Sequence, residues 1–279
     1  MNVKTATMTS TAGLPTLAHR AGTVEAYRKA IERVIEYMRA NLADPLDLDH
    51  LAGIAAMSKF HLVRVFDELT GTTPRHFLAC LRMQRAKQLL LCPDASITDV
   101  CMTVGYSSLG TFSKTFSTLV GLSPQDFRGL PKRLKPMQFA KAIWHFLALN
   151  HQVTGTPLEG SVEGPAKLRG FTFVGVFDRG VPQGVPSSGT VLLKPGTFRL
   201  DRPDLPEFHL LAAFIPLSAD LTAIATTIPV GLVASQRVSA CSTGSGCKPR
   251  LILRPLRLTD PPIVLALPAL PPWRGAFVD

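Results

Sequence analysis

The sequence predicts a multidomain chain, α first and β afterwards: an all-α region over residues 24–130, then an antiparallel β-sandwich over residues 157–279. Three observations carry that prediction. From Val24 to about Leu130 the apolar residues recur at helical spacing. After Pro131 the texture changes to short β-prone runs punctuated by Gly and Pro every ten residues or so, the rhythm of a sandwich. The length, 279 residues with 46% hydrophobic content, suits two cores of ordinary size better than one unbroken fold.

Residues 1–23 hold an early lysine with no apolar run behind it, so they read as a disordered tail rather than a signal peptide, and the expected compartment is the cytoplasm. Val24, Tyr27, Ile31, Val34, Ile35, Met38 and Leu42 then form one stripe of a long amphipathic helix. Leu48 to Ala55 and Ile97 to Val104 read as two short helices, each running into a turn of small residues. Ser58 and Ser108 stand where a hydroxyl caps the helix that follows. Gly71 and Gly121 stand where a left-handed C-terminal cap is wanted, and Pro74 and Pro124 suit the first turn of the next helix. Between them, Pro74 to Leu91 makes a helix of about 18 residues, roughly 27 Å long.

The stretch "PKRLKP" is a basic break, and residues 131–156 form a linker in which "MQFAKAIWHFLALNHQ" fits one further helix. The strand candidates are "FTFVGVF", "GTVLL", "EFHLLAAF" and "RLILRPL". The most apolar window, residues 211–234, contains Pro216, Asp220 and Pro229, all of which a bilayer span of about 20 residues would have to bury. It reads as strands and loops, and no membrane partner is expected.

Thirty Lys and Arg against 20 Asp and Glu leave a formal charge of +10, which points to a polyanionic partner. The charge does not say which half meets it, because residues 24–135 hold 15 cations and 11 anions and residues 136–279 hold 13 and 9. Placement has to decide. The five cysteines, Cys80, Cys92, Cys101, Cys241 and Cys247, form no C-x-x-C and have no histidine at metal spacing, which fits a reducing compartment. Cys241 and Cys247 flank "STGSG" and are assigned no chemistry.

The segment "AMSKFHLVRVF" (56–66) returns as "GYSSLGTFSKTF" (105–116) with the register displaced by 50 positions. Ser58/Ser108, Phe66/Phe116, Leu69/Leu119, Gly71/Gly121, Pro74/Pro124 and Phe77/Phe127 are identical pairs, and Leu62/Phe112 and Arg64/Lys114 similar ones. Two copies make a duplicated unit rather than a solenoid. In each copy a short helix, a tight turn and a capped second helix follow in order. Leu62, Val65, Phe66 and Leu69 lie at i, i+3, i+4 and i+7 and face a core, which turns Phe60, Val63 and Arg64 outward; in the second copy Gly110, Ser113 and Lys114 take that place.

That plan is a helix-turn-helix. A helix in the major groove reads base edges by shape and hydrogen bonding, so its face is poor in charge while its flanks neutralise phosphates. The long helix between the copies can hold two such helices about one DNA turn apart, roughly 34 Å, on one side of a duplex.

The residues "LAGIAAMSKFHLVRVFDELTGTTPRHF", the R-x-x-x-A of the long helix (Arg82, Ala86), the G-[FY] of the second turn (Gly105, Tyr106) and both G-x-[ST]-P-x-x-[FY] motifs (Gly71 to Phe77, Gly121 to Phe127) together resemble the DNA-binding region of the AraC/XylS family of bacterial transcription regulators, over about residues 24–130. The resemblance implies a DNA operator and RNA polymerase as partners, and no cofactor. It implies base contacts from the early outward positions of each second helix: Phe60, Val63 and Arg64, then Leu109, Gly110, Thr111, Ser113 and Lys114, with Ser58, Lys59, His61 and Ser108 beside them. Val63 and Gly110 depart from the pattern, since neither side chain can hydrogen-bond. The first helix then leans on Arg64 to guanine and on Phe60 and Val63 to thymine methyls; for Phe60, packing against the first helix is the alternative. Lys114 suits phosphate or base.

Residues 157–258 faintly resemble the prealbumin-like sandwich of carboxypeptidase regulatory domains, through "G-x-F-x-L…L-P-x-F-x-L-x-A" at 196–212. Such a module serves sensing or protein contact, with a small-molecule effector as its expected partner, and brings no catalytic residue. No enzyme is expected: G-x-S-x-G, Walker, G-x-G-x-x-G and H-E-x-x-H patterns are absent from the sequence, and His209, Asp201, Asp204 and Asp178 read as solvated or structurally bonded. The alternative of another class is a DNA-repair methyltransferase, which would need a reactive cysteine; Cys80 and Cys101 fall in predicted helix cores and Cys92 beside a proline.

Overall fold

Among the described residues, seven helices come first: α1 (Ala21–Ala40), α2 (Leu48–Ala55), α3 (Lys59–Thr70), α4 (Pro74–Leu90), α5 (Ile97–Thr103), α6 (Leu109–Val120) and α7 (Pro124–Arg133). Seven strands follow among them: β1 (Pro157–Glu163), β2 (Gly170–Phe177), β3 (Ser188–Leu192), β4 (Thr197–Asp201), β5 (Glu207–Pro216), β6 (Leu232–Ser239) and β7 (Arg250–Ile252). The structure is a computed structural model that describes residues 21–133, 155–165, 167–216, 231–239 and 248–266. The expected linker helix at 137–152, the Cys241/Cys247 turn and most of the expected tail lie outside them. Where the tail was expected to reach residue 23, α1 already begins at Ala21.

The helices fill two adjoining cores. Ile31, Val34, Ile35 and Met38 of α1 meet Leu51 and Ala55 of α2 and Leu62, Val65 and Phe66 of α3 in the first. Val100 and Cys101 of α5, Phe112, Phe116 and Leu119 of α6, and Phe127 of α7 make the second. The helix α4 serves both, giving Phe77, Leu78 and Leu81 to the first and Cys80, Met83, Ala86 and Leu90 to the second. Its 17 residues span about 26 Å. The helix α7 corrects the expected break at Pro131, running through it to Arg133. Proline removes the N–H that would bond to the carbonyl four residues back, that of Phe127, and so costs α7 one helical hydrogen bond without ending it.

The strands form a three-stranded sheet, β4-β1-β7, and a four-stranded sheet, β3-β2-β5-β6. One core lies between them, built from Leu158, Val162, Phe198, Leu200 and Leu251 on one side and Val174, Val176, Phe208, Leu210, Ala212 and Val238 on the other. The expectation of an antiparallel arrangement throughout needs one correction, because β1 and β7 pair in parallel, Ser161 opposite Arg250 to Glu163 opposite Ile252. Their connection carries the chain through five other strands, so no hairpin constrains their direction. The "RLILRPL" candidate yields only the three residues of β7 plus an isolated bridge from Arg254 to Val233, with Pro255 next in the chain.

Segments outside the strands of the β region enter the second helical core. Val181, Val264 and Ala266, from beyond residue 156, sit among the side chains of α4, α6 and α7.

Candidate nucleic-acid interface

Each of the two repeated segments is built alike. The helix α2 is capped at its start by Asp47 and ends on Ala56 in the left-handed region, φ 53°. Ser58 then caps α3, its Oγ accepting from His61 N, and α3 stops at Gly71 with φ 71°. In the second copy a reciprocal capping box, Ser96 with Asp99, opens α5. Ser108 caps α6, accepting from Thr111 N, and Gly121 closes it with φ 89°. Small or left-handed residues suit these turns, which leave three residues between α2 and α3 and five between α5 and α6.

Packing then fixes which face is free. Leu62, Val65 and Phe66 of α3 and Phe112 and Phe116 of α6 are wholly buried. Phe60 is 81% exposed and Arg64 is exposed beside it, with Val63 half-buried. On α6, Leu109, Gly110, Thr111 and Lys114 are exposed and Ser113 is half-buried. Lys59 is also exposed and lies 3.4 Å from Asp49 of α2, a surface pair that solvent screens. The structure thus brings Phe60, Val63 and Arg64 to one face of α3, and Gly110, Ser113 and Lys114 to the corresponding face of α6. His61 is set apart from them: its ring packs edge-on against Tyr27 of α1, centroids 5.2 Å apart. Ser58 and Ser108 already spend an oxygen lone pair on a backbone N–H.

The long helix ties the copies together. Arg82 of α4 donates from Nε to Leu42 O and from Nη2 to Asp44 O, each at 2.7 Å, while its guanidinium stands 5.6 Å from the centre of the Tyr106 ring. One side chain therefore links the loop after α1 to the turn before α6. The second turn is itself tight, since a Cβ at Gly105 would fall 2.6 Å from Ala43 O. Lys87, on the same helix, was not singled out by sequence reasoning. It is fully buried, donates from Nζ to Val264 O and Leu265 O at 3.2 and 3.3 Å, and has its ammonium pulled down to about 7 by burial. The signal was there: 80, 83, 87 and 90 form one apolar stripe with a lysine in it.

Cys80 of α4 and Cys101 of α5 are unsuited to nucleophilic attack, whereas Cys92, just after α4, is exposed. Cys80 and Cys101 are buried, and desolvation raises both thiols, Cys80 to about 12, so neither supplies thiolate at neutral pH. Asp201 accepts from Gly155 N at 2.8 Å, and His209 is half-buried with its proton affinity lowered by desolvation. Among the described residues no group of three or more His, Cys, Asp or Glu side chains is placed to hold a metal, and no helix is long and apolar enough to cross a membrane.

A family profile described as a helix-turn-helix domain matches residues 51–129. The MmsAB operon regulatory protein of Pseudomonas aeruginosa is 43% identical over 93 residues, which cover 33% of this chain and 30% of that one. The HTH-type transcriptional regulator GbdR of the same species is 33% identical over 126 residues, covering 43% and 34%. The chain thus spans about a third of the length of these curated relatives. A crystal structure of a transcriptional regulator from Chromobacterium violaceum, described as AraC-type, is 29% identical, with 38% of this chain and 95% of that one covered at a TM-score of 0.36.

Proposed function

We propose that the chain, whose residues 51–129 match a helix-turn-helix domain, is a sequence-specific transcription regulator of the AraC/XylS kind that reads its operator with two helix-turn-helix units. The units are α2–α3 and α5–α6, with α3 and α6 entering successive major grooves and α4 as the strut between them. The DNA-binding domain that holds them runs from about residue 24 to about residue 130, in a cytoplasmic protein. The observation that carries the reading is the doubled build: Ser58 and Ser108 as caps, Gly71 and Gly121 as left-handed stops, and Arg64 and Lys114 exposed at the same place on each second helix.

Phosphate contacts supply most of the affinity, which falls by about 0.9 in log K for each tenfold rise in salt per phosphate neutralised. Arg64 reads a guanine, Phe60 and Val63 pack on thymine methyls, and Lys114 takes a phosphate or a base edge. The two sheets form a β-sandwich that senses an effector or contacts a protein, RNA polymerase among the candidates.

The test uses an operator selected by the full chain from random duplexes. Arg64→Ala costs about 1–3 kcal/mol and relaxes preference at one base pair, whereas Lys59→Ala weakens all sequences alike and lowers the salt slope by about one. Unchanged preference in Arg64→Ala would overturn the assignment of the groove face.

A further inference from the structure

The four-stranded sheet is apolar on its inner face and over part of its outer one. Leu210 and Ala212 of β5 point into the core between the sheets, and the alternate residues Leu211, Ala213 and Ile215 point away from it. Beside Phe173 and Phe177 of β2 they wall an apolar cavity with an open mouth. Its far side is made by Pro182, from the loop after β2, and by Ile263 and Leu265 near the described end of the chain.

The segment 263–266 alternates. Ile263 and Leu265 line the cavity, while Val264 and Ala266 are buried in the helical core. It is fastened at each step: Val264 N donates to Pro182 O, Ala266 N donates to Val120 O at the end of α6, and Lys87 of α4 donates to the carbonyls of Val264 and Leu265. The loop holding Pro182 is fastened as well, through Gly184 N to Leu119 O of α6 and through His76 Nε2, 2.6 Å from Gln183 Oε1.

The acidic side chain on the wall, Asp260, is already committed. Its oxygens receive both terminal nitrogens of Arg254 and the backbone N–H of Arg257, each at 2.7 Å. A charged guest would lose water there without a free counter-charge among the lining residues, so the cavity selects against ions.

We propose that this cavity is an effector site for a small, uncharged and largely apolar organic molecule, aromatic or short aliphatic, and that the segment 263–266 relays its occupancy to α4 and the C-terminal end of α6. The inference rests on the reading of α6 as a recognition helix. A guest that presses on Ile263 and Leu265 displaces Val264 and Ala266 with them, because the four residues are consecutive in one fastened stretch. The guest shifts operator affinity to the extent that it favours one placement of that stretch over the other.

The full chain is titrated with 4-fluorotoluene and followed by fluorine NMR, with and without the selected operator. The expected result is saturable binding that Ala213→Phe weakens at least about tenfold by filling the cavity, and a change in operator affinity of about fivefold or more at saturation. Ser235→Trp, at the exposed mouth and away from the core, also weakens probe binding and covers the case in which the filled cavity fails to fold. Lys87→Met still binds the probe but loses most of the change in operator affinity. Absence of saturable binding, or binding indifferent to both cavity variants, overturns the site. Binding that leaves operator affinity unchanged overturns the relay. Failure to select any operator counts against the DNA-reading proposal alone, since the titration without DNA still decides the cavity.

Discussion

Lys87 and Val264 stand 177 positions apart in the chain, yet the Lys87 ammonium nitrogen lies 3.2 Å from the Val264 carbonyl oxygen inside the helical core. Burial lowers the proton affinity of Lys87 from its ordinary 10.5 to about 7. A neutral amine still has a hydrogen for each of its two carbonyl acceptors. Between about pH 7 and 10.5 the unfolded chain holds this proton and the folded chain has released it, so stability rises with pH across that window and stays low beneath it.

From pH 7 to pH 9 the rise from this one group is on the order of 2 kcal/mol. Those limits sit above the titration of His76 and His209, both lowered from 6.5, and largely below that of Cys80, raised from 9.0. Urea midpoints at the two pH values check it: the wild type gains more than Lys87→Met. Equal gains would mean that Lys87 is not a desolvated group.

Gly71 and Gly180 meet backbone to backbone. A Cβ on Gly180 would stand 2.6 Å from Gly71 O and 2.8 Å from Gly71 Cα, at the left-handed end of α3. Gly180→Ala therefore destabilises the chain by about 1–3 kcal/mol. Gly53→Ala in α2 meets nothing within 4 Å and stabilises by about 0.5–1 kcal/mol through helix propensity. Denaturant titration reads both, and equal signs would contradict the difference in surroundings.

Phe60 and Phe116 sit on opposite faces of equivalent helices. Phe116→Ala removes a wholly buried ring and costs about 3–5 kcal/mol. Phe60→Ala, at an 81% exposed position, changes stability by less than about 0.5 kcal/mol but weakens operator binding. A large drop in melting temperature for Phe60→Ala would return that ring to a packing role.

What was legible in the sequence was local. Ser58, Ser108, Gly71 and Gly121 announce helix ends through caps that act within three or four residues, and their 50-position displacement exposes the duplication. Burial of Leu62 and Phe66 follows from helical spacing, and the exposure of Arg64 follows from theirs. The parallel pairing of Glu163 with Ile252 has no such signal, because strand direction there is set by contacts across the whole β region. The fastening of Val264 and Ala266 into the helical core was equally hidden. Leu69, read as core, is only partly buried at the edge of the first cluster.

The spacing of the two helices on DNA is the most direct measurement. Footprinting of the full chain on its selected operator should show two protected blocks centred about 10–10.5 base pairs apart, and inserting about five base pairs between them should reduce binding to that of a single block. One block alone, or affinity indifferent to the insertion, would show that α3 and α6 do not enter successive grooves together.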